Sequence, residues 1–309
     1  MTCLITRVRH AALLALVLIT TTACSSTRPA ATLALQSAIL PAPACADDAG
    51  WDDPVTPRRI FGNTYYVGTC GISAVLVVTD AGHAVIDGGT ARGGELVLAN
   101  IRALGFDPAD IRYVLNTHAH VDHAGGLATL QRASGATVLA HGDAVATLQR
   151  GRSDASDPQS GSLPPFPPVS DVTPITDGHA IKLGDVELVA HATPGHAAGG
   201  TSWTWRACEA VTCRRMAFVD SLSAVSDAGY RFSAQPALLA TFRGTFDRVA
   251  ALPCDILVTP HPAASRLWQR IGPGATDALV DVDACRRYAD GARARLATRL
   301  DDEATGRAR

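Results

Sequence analysis

The stretch that most constrains this chain is a cluster of histidines and one aspartate directly after a short apolar run. Residues 117–123 read Thr-His-Ala-His-Val-Asp-His, although the chain has only 10 histidines in 309 residues. The preceding run, Ile111–Leu115, is rich in β-branched and aromatic residues, which predicts a buried strand. The imidazoles therefore emerge where a strand ends and a loop begins, a position at which a rigid element can hold functional groups.

The residue types in this cluster predict a metal site. Side chains alternate along an extended backbone, so His118 and His120 face the same way and can bind one ion, while Asp122 and His123 remain for another. Imidazoles with one carboxylate and no thiolate favour zinc, because calcium and magnesium sites are built almost wholly from oxygen. Any one of these residues fits an ordinary surface position, but unrelated surface histidines are a poor explanation of the whole H-x-H-x-D-H pattern.

Two more histidines occur at the ends of predicted strands. His196 follows a glycine that permits close backbone approach, and His261 follows Thr259-Pro260. Either alone is more readily an ordinary loop histidine, but with the first motif they divide into two sites of three ligands. Three protein ligands leave zinc an open position for water, which favours catalysis over a structural metal. Asp87, in a strand-end turn, is either a turn residue or a group that orients a ligating imidazole.

The amino-terminal region predicts export. Residues 1–23 carry arginines ahead of an apolar run and small residues, as in a signal segment, and the run is too short for a stable anchor. Cleavage is expected before Cys24, which would then be lipidated, or alternatively after Ala44. Residues 24–44 form a low-complexity linker, and 45–309 a single domain. We expect a periplasmic protein, held on the outer membrane if Cys24 carries lipid.

Composition limits the classes of partner that this protein can bind, and its cysteines predict disulfides. The net charge is −2 and charged residues make up 18% of the chain, so nothing in the composition argues for a nucleic-acid partner. We expect a small-molecule substrate and a monomer. Beyond residue 44 there are six cysteines, an even number that favours three disulfides in an oxidising compartment. Cys208 and Cys213 flank a short turn, so a bridge between them would be local. A zinc–thiolate site is the weaker alternative, because C-x2-C pairs are lacking.

Strand and helix patterns alternate along the rest of the chain and predict an α/β fold. An antiparallel meander opens it near residue 65, and the last helix runs from about 282 towards 300. Residues 151–170, rich in proline, interrupt the pattern and either border the active site or link two halves. Two sheet-plus-helix halves placed face to face give a four-layer αβ/βα sandwich, with two mixed sheets inside and helices outside.

These motifs together resemble the metallo-β-lactamase superfamily and, in detail, subclass B3 of the true β-lactamases. The resemblance spans roughly residues 45–294 and is strongest to the three-disulfide branch that includes the Adelaide imipenemase. It is carried by Trp51, residues 62–69, the histidine cluster, residues 193–196, residues 220–223 and residues 259–262. It implies the disulfides Cys45–Cys70, Cys208–Cys213 and Cys254–Cys285.

The resemblance also implies site residues and an activity. It assigns His118, His120 and His196 to one zinc ion, and Asp122, His123 and His261 to a second. The activity implied is hydrolysis of the β-lactam amide bond of penicillins, cephalosporins and carbapenems by zinc-activated water, without a covalent intermediate, which gives antibiotic resistance. In this reading Asp122 also orients the water, and Ser221 and Ser223 bind the substrate carboxylate.

Position 221 separates this chain from other hydrolases of the superfamily. Glyoxalase II and lactonases place a metal-bridging aspartate where this chain has Ser221. Asp220 is one residue away, and strand alternation predicts that it points to the opposite face. The alternatives left open are an exported lactonase or thioesterase of the same fold and a periplasmic zinc-binding protein.

Overall fold

The computed structural model of this protein describes residues 45–272 and 274–307. The predicted signal segment, Cys24 and the linker lie outside these residues. Within the described ranges, no helix is long and apolar enough to cross a membrane.

The first half is a seven-stranded sheet whose strands follow one another in chain order. The strands are β1 (Arg58–Phe61), β2 (Thr64–Tyr66), β3 (Val75–Thr79), β4 (Gly82–Ile86), β5 (Ile111–Leu115), β6 (Thr137–His141) and β7 (Val172–Ile175). The first four pair antiparallel, and β4 to β7 pair in parallel. Parallel neighbours need long crossovers, which carry α1 (Ala91–Ala103), α2 (Val121–Ala124), α3 (Leu127–Ser134) and α4 (Gly142–Arg150).

The second half is a five-stranded sheet in the order β12-β11-β10-β9-β8. Its strands are β8 (Ala180–Leu183), β9 (Val186–Ala192), β10 (Thr201–Glu209), β11 (Thr212–Phe218) and β12 (Ile256–Val258). Strands β8 to β11 form an antiparallel meander, and β12 pairs in parallel with β11. The crossover to β12 contains α5 (Pro236–Ala250), and α6 (Ala284–Ala304) ends the described chain.

Three buried apolar clusters separate the layers. One lies between the sheets and joins Ile86 of the first to Trp203 of the second. Another packs the outer face of the first sheet against helices and includes Val97 of α1. The third packs the second sheet against Phe242 of α5 and Leu296 of α6. Each sheet thus buries both faces, and the predicted four-layer αβ/βα sandwich is confirmed.

Three disulfides hold the chain, with the pairing that the resemblance implies: Cys45–Cys70, Cys208–Cys213 and Cys254–Cys285. Cys208 and Cys213 are cross-strand neighbours in the β10–β11 hairpin. The other two close segments of 25 and 31 residues. By restricting the unfolded chain, loops of this length contribute about 3–4 kcal/mol each.

Sequence patterns did not predict the two edge strands of the first sheet, β1 and β7. Strand β7 reads Val-Thr-Pro-Ile, and proline argues against a strand because it lacks a backbone N–H. The structure places β7 at the sheet edge beside β6, with Pro174 opposite Ala140. An edge position tolerates proline, since only one side of the strand needs hydrogen bonds.

Candidate metal centre

The histidine cluster lies at the end of β5 in the first half. The strand stops at Leu115, and His118 and His120 follow in the loop before α2. Asp122 and His123 lie within α2 itself, so one short helix turns both side chains back towards the loop. Four candidate ligands therefore come from six consecutive residues, 118–123, where a buried strand is followed by a short helix.

The second half contributes His196 and His261 from the loops after β9 and β12. Gly195 has φ +140°, and a Cβ there would lie 2.9 Å from the Phe242 ring, so glycine is required for this path of the loop. Beside the cluster, the Thr201 N–H donates to the Thr117 carbonyl at 2.8 Å. This contact joins the two halves where their loops converge.

His118, His120 and His196 form the first group. Their ring centroids lie 4.6 to 4.9 Å apart, and one ligand atom from each lies within 4.8 Å of the others. All three are buried. These are the three residues that the family resemblance assigns to one ion, and the fold brings them together.

The outer nitrogen of each ring in the first group contacts a protein oxygen. The contacts are His118 Nδ1 to Asp220 Oδ1 at 2.7 Å, His120 Nε2 to Asp157 Oδ2 at 2.8 Å, and His196 Nδ1 to the Ser223 carbonyl at 2.9 Å. An acceptor at one nitrogen places the proton there and leaves the other nitrogen with a free lone pair. The inward atoms are therefore Nε2 of His118, Nδ1 of His120 and Nε2 of His196.

Asp122, His123 and His261 form the second group. Asp122 Oδ2 lies 3.1 Å from His123 Nε2 and 3.4 Å from His261 Nε2, and the two rings are 5.0 Å apart. His118 also has a ligand atom within 4.8 Å of those of Asp122 and His123, so the two groups adjoin. The His261 side chain is 39% exposed and lies on the solvent-facing side of the second group.

The residues of both groups fit a metal ion. Burial lowers the pKa of His118 well below its usual value and that of His196 to about 3, so both rings are neutral, the form that binds metals. Within the described chain, His118 Nε2 and both ring nitrogens of His123 are buried without a hydrogen-bond partner. Such atoms are costly unless something binds them, and imidazoles with one carboxylate suit zinc.

Asp87, the predicted orienting residue, mainly contacts the backbone before the cluster. It is buried, with φ +62°, and accepts the Thr117 N–H at 2.8 Å and the Thr117 hydroxyl at 2.6 Å. Its Oδ2 is 3.8 Å from His123 Nδ1, which is longer than a hydrogen bond. Asp87 thus holds the loop that carries His118 more directly than it holds any imidazole.

The expectation that Asp220 faces away from the site is wrong. Strand β11 ends at Phe218, so strand alternation does not extend to residue 220. The Asp220 side chain is buried and contacts the outer nitrogen of His118, and burial raises its pKa to about 6. Because Asp220 is engaged on the outer side of His118, it does not take the place of the metal-bridging aspartate that other hydrolases of the superfamily have at the position of Ser221.

The loop of residues 151–170 borders the site, one of the two readings that the sequence left open. Its Asp157 contacts His120, and both residues line a cavity of about 600 Å³ between this loop, α4 and the start of α5. Sequence reasoning missed Asp157 because a lone aspartate in a polar loop carries no ligand pattern. Of the two predicted substrate-binding serines, Ser223 lies against His196, with Oγ 3.2 Å from Nδ1, and Ser221 is 5% exposed.

Comparisons with known proteins agree with this architecture. The profile of the metallo-beta-lactamase superfamily matches residues 67–213. The solved structure of metallo-beta-lactamase SMB-1 bound to 2-mercaptoethanesulfonate has a TM-score of 0.80 and 48% identity, covering 82% of this chain and 100% of its own. The chain belongs to the metallo-β-lactamase superfamily.

A second solved structure refines this assignment. MEM-A1, a subclass B3 metallo-beta-lactamase isolated from a soil metagenome library, has a TM-score of 0.79 and 44% identity, covering 83% of this chain and 100% of its own. The similarity to a hydroxyacylglutathione hydrolase of Anaeromyxobacter dehalogenans (strain 2CP-C) is lower, at 28% over 233 residues, or 74% of this chain and 75% of that protein. Within the superfamily, the chain is an enzyme of subclass B3.

Proposed function

We propose that this protein hydrolyses the amide bond of β-lactams, with one zinc ion at each of the two groups. The observation that carries the proposal is the pair of adjoining three-residue groups, in which inward nitrogen atoms and one carboxylate face a shared centre. The similarity to SMB-1 and MEM-A1, both metallo-beta-lactamases, supports the substrate class. His118, His120 and His196 would hold the first ion, and Asp122, His123 and His261 the second.

Zinc at these positions supplies a Lewis acid that polarises the substrate carbonyl and lowers the pKa of water. The protein supplies orientation. Asp220, Asp157 and the Ser223 carbonyl hold the three rings of the first group at their outer nitrogens. Rings held in this way lose little freedom when a metal or substrate arrives.

Asp122 has a separate role in the proposed reaction. Burial acts to raise its pKa, but the imidazoles of His123 and His261, whose Nε2 atoms lie 3.1 and 3.4 Å from its Oδ2, outweigh this and hold the pKa well below its usual value. Asp122 is therefore a carboxylate at neutral pH. From the second group, next to the first, it would accept a hydrogen bond from the attacking water and orient it towards the carbonyl. No protein nucleophile takes part, so no covalent intermediate forms.

Ser221 and Ser223 are proposed to bind the carboxylate that β-lactams carry beside the amide nitrogen. Both follow Asp220 in the loop after β11, and the Ser223 hydroxyl lies beside His196. Hydroxyl groups can donate to a carboxylate directly or through water. In this proposal the substrate carboxylate would lie on the side of the site formed by the second half.

The proposal extends to the setting of the reaction. We infer a periplasmic monomer that confers antibiotic resistance and accepts carbapenems as well as penicillins and cephalosporins. Three disulfides in the described chain support an oxidising compartment. Lipid attachment at Cys24 would anchor the protein to a membrane surface and would leave the site unchanged.

A lactonase or thioesterase is the second candidate, favoured by the similarity to the hydroxyacylglutathione hydrolase. Against it, position 221 is serine, and Asp220 is engaged by His118. A zinc-binding protein without activity is the third, and it would require closed coordination, whereas groups of three ligands leave a position open.

The first test is carbapenem hydrolysis by the purified mature protein, before and after chelation and after zinc is restored. We expect turnover that the chelator removes and zinc recovers. If the zinc-loaded protein hydrolysed lactones or thioesters but no penicillin, cephalosporin or carbapenem, the proposal would be wrong. Metal content, measured alongside, separates a missing ion from a missing activity.

A further inference from the structure

Two segments beside the site, residues 157–161 and residues 226–230, are joined by one residue, Asp227. The Gly161 N–H donates to Asp227 Oδ2 at 2.6 Å, and the Asp227 N–H donates to the Pro158 carbonyl at 2.8 Å. A Cβ at Gly161 would lie 2.8 Å from Asp227 Oδ2, so glycine permits the approach. Asp227 therefore closes a contact between loops that are 66 residues apart in the chain.

The segment that carries Asp227 is held by the last helix. Arg299 of α6 donates to the Ser226 hydroxyl and to the Tyr230 carbonyl, both at 3.0 Å, on either side of Asp227. Arg299 Nε in turn donates to the Glu303 carboxylate at 2.9 Å. Glu303 is buried, with 2% of its surface exposed, and its carboxylate also accepts the backbone N–H groups of residues 232 and 233. Residues 226–230 are thus the fixed side of the contact, and residues 157–161 the side that is held.

The held segment begins with the residue that contacts the first metal group. Asp157 Oδ1 accepts the Gln159 N–H at 2.8 Å, which fixes the carboxylate within its own turn. Its Oδ2 contacts His120 Nε2 at 2.8 Å. Hydrogen bonds, linked by short stretches of backbone, therefore connect α6 through Asp227 and Asp157 to an imidazole of the site.

We propose that Asp227 is a positioning residue: it holds residues 157–161 across the rim and, through Asp157, keeps the His120 ring turned towards the metal. The kinetic consequence rests on the proposed β-lactam hydrolysis, but the consequence for metal retention does not. Asp227 is engaged with backbone groups of the rim, so it acts on the reaction only through other residues.

The test compares Asp227→Ala with Asp227→Asn, which keeps an acceptor oxygen for the Gly161 N–H. The control is Asp185→Asn, at an exposed position in the turn between β8 and β9. Zinc loss to a chromophoric chelator, kcat and KM are measured on zinc-loaded protein. For Asp227→Ala we expect zinc loss and KM to rise about tenfold with kcat within about threefold, since one hydrogen bond to a held loop is removed. In Asp227→Asn the rate of zinc loss and KM should stay within about threefold of those of the unaltered protein, because the acceptor oxygen remains. Asp185→Asn should change nothing.

Gly161→Ala breaks the same contact from the other loop and decides the matter if Asp227→Ala does not fold. It should reproduce the increase in zinc loss and in KM. Unaltered zinc retention and KM in a folded Asp227→Ala or Gly161→Ala protein would overturn the proposal, and so would equal losses in Asp227→Ala and Asp227→Asn. A protein without β-lactam turnover in which Asp227→Ala still speeds zinc loss would refute the proposed function and leave the positioning role supported.

Discussion

The two metal groups differ in what lies behind their rings. In the first, all three outer nitrogens contact a carboxylate or carbonyl within 2.9 Å. In the second, His123 Nδ1 is 3.8 Å from its nearest carboxylate, and His261 is 39% exposed. A ring with its outer nitrogen bound loses less freedom when it coordinates, so the first group is the better prepared of the two. Of the two ions that we propose, we therefore expect the first group to hold its ion more firmly than the second.

The largest effect is expected from removing one ring of each group. His118 belongs to the first group and adjoins the second, whereas His261 lies at the exposed edge of the second. We expect His118→Ala to lower kcat/KM on the order of a thousandfold or more, and His261→Ala on the order of a hundredfold. The loss is larger for His118 because its removal weakens metal binding more than the removal of His261 does. Steady-state kinetics and zinc content by mass spectrometry measure both.

Circular dichroism and melting temperature control for folding in these variants, since the disulfides and the three apolar clusters are untouched. A His261→Ala protein as inactive as His118→Ala would erase the distinction between the groups. Retention of full rate and zinc content in either variant would refute the ligand assignment itself.

An intermediate effect is expected behind the rings. Asp220→Asn weakens the support of His118, so zinc affinity should fall about 10- to 100-fold. Asp87→Asn acts mainly on Thr117, so zinc affinity should stay within about threefold while the free energy of unfolding falls by about 1–2 kcal/mol. Chelator competition gives the first quantity and urea unfolding of the metal-free protein the second. Should Asp87→Asn reduce zinc affinity as much as Asp220→Asn, the second group would also be firmly supported.

These supporting residues mark the limit of what the sequence predicted. The ligand cluster was readable because strand β5, the loop and α2 are contiguous, so spacing alone brings the cluster's four side chains together. His196 and His261 were found because a strand end precedes each. Asp157 and Asp220 lie 37 and 102 residues from the rings that they contact. The role of Asp157 arises only when its loop folds back within the first half, and that of Asp220 only when the two halves pack.

The fold shows the same division between local and distant signals. The four layers followed from alternating strand and helix patterns, which depend on near neighbours. Asp220 was misplaced because strand alternation was extended past Phe218, where β11 ends. Strand β7 was missed because its pairing with β6 comes from the crossover through α4, and its own four residues contain a proline.

The smallest effect is expected at the far end of the support of the first group, at Glu303. Burial acts to raise its pKa, but hydrogen bonds from Ser233, Arg299 and the Phe232 N–H outweigh this and lower the pKa to about 2 from the ordinary 4.5. A carboxyl group whose pKa is lower in the folded than in the unfolded protein stabilises the fold. This stabilisation is fully present above the unfolded pKa and is lost as the pH falls towards the folded pKa.

Glu303→Gln resembles the protonated side chain at every pH. The urea midpoint of the unaltered protein should therefore exceed that of Glu303→Gln above about pH 4.5, and the gap should shrink between about pH 4.5 and 2. A gap that stayed constant over this range would mean that the charge of Glu303 does not stabilise the segment that carries Asp227, and the support of the first group would then end at the rim.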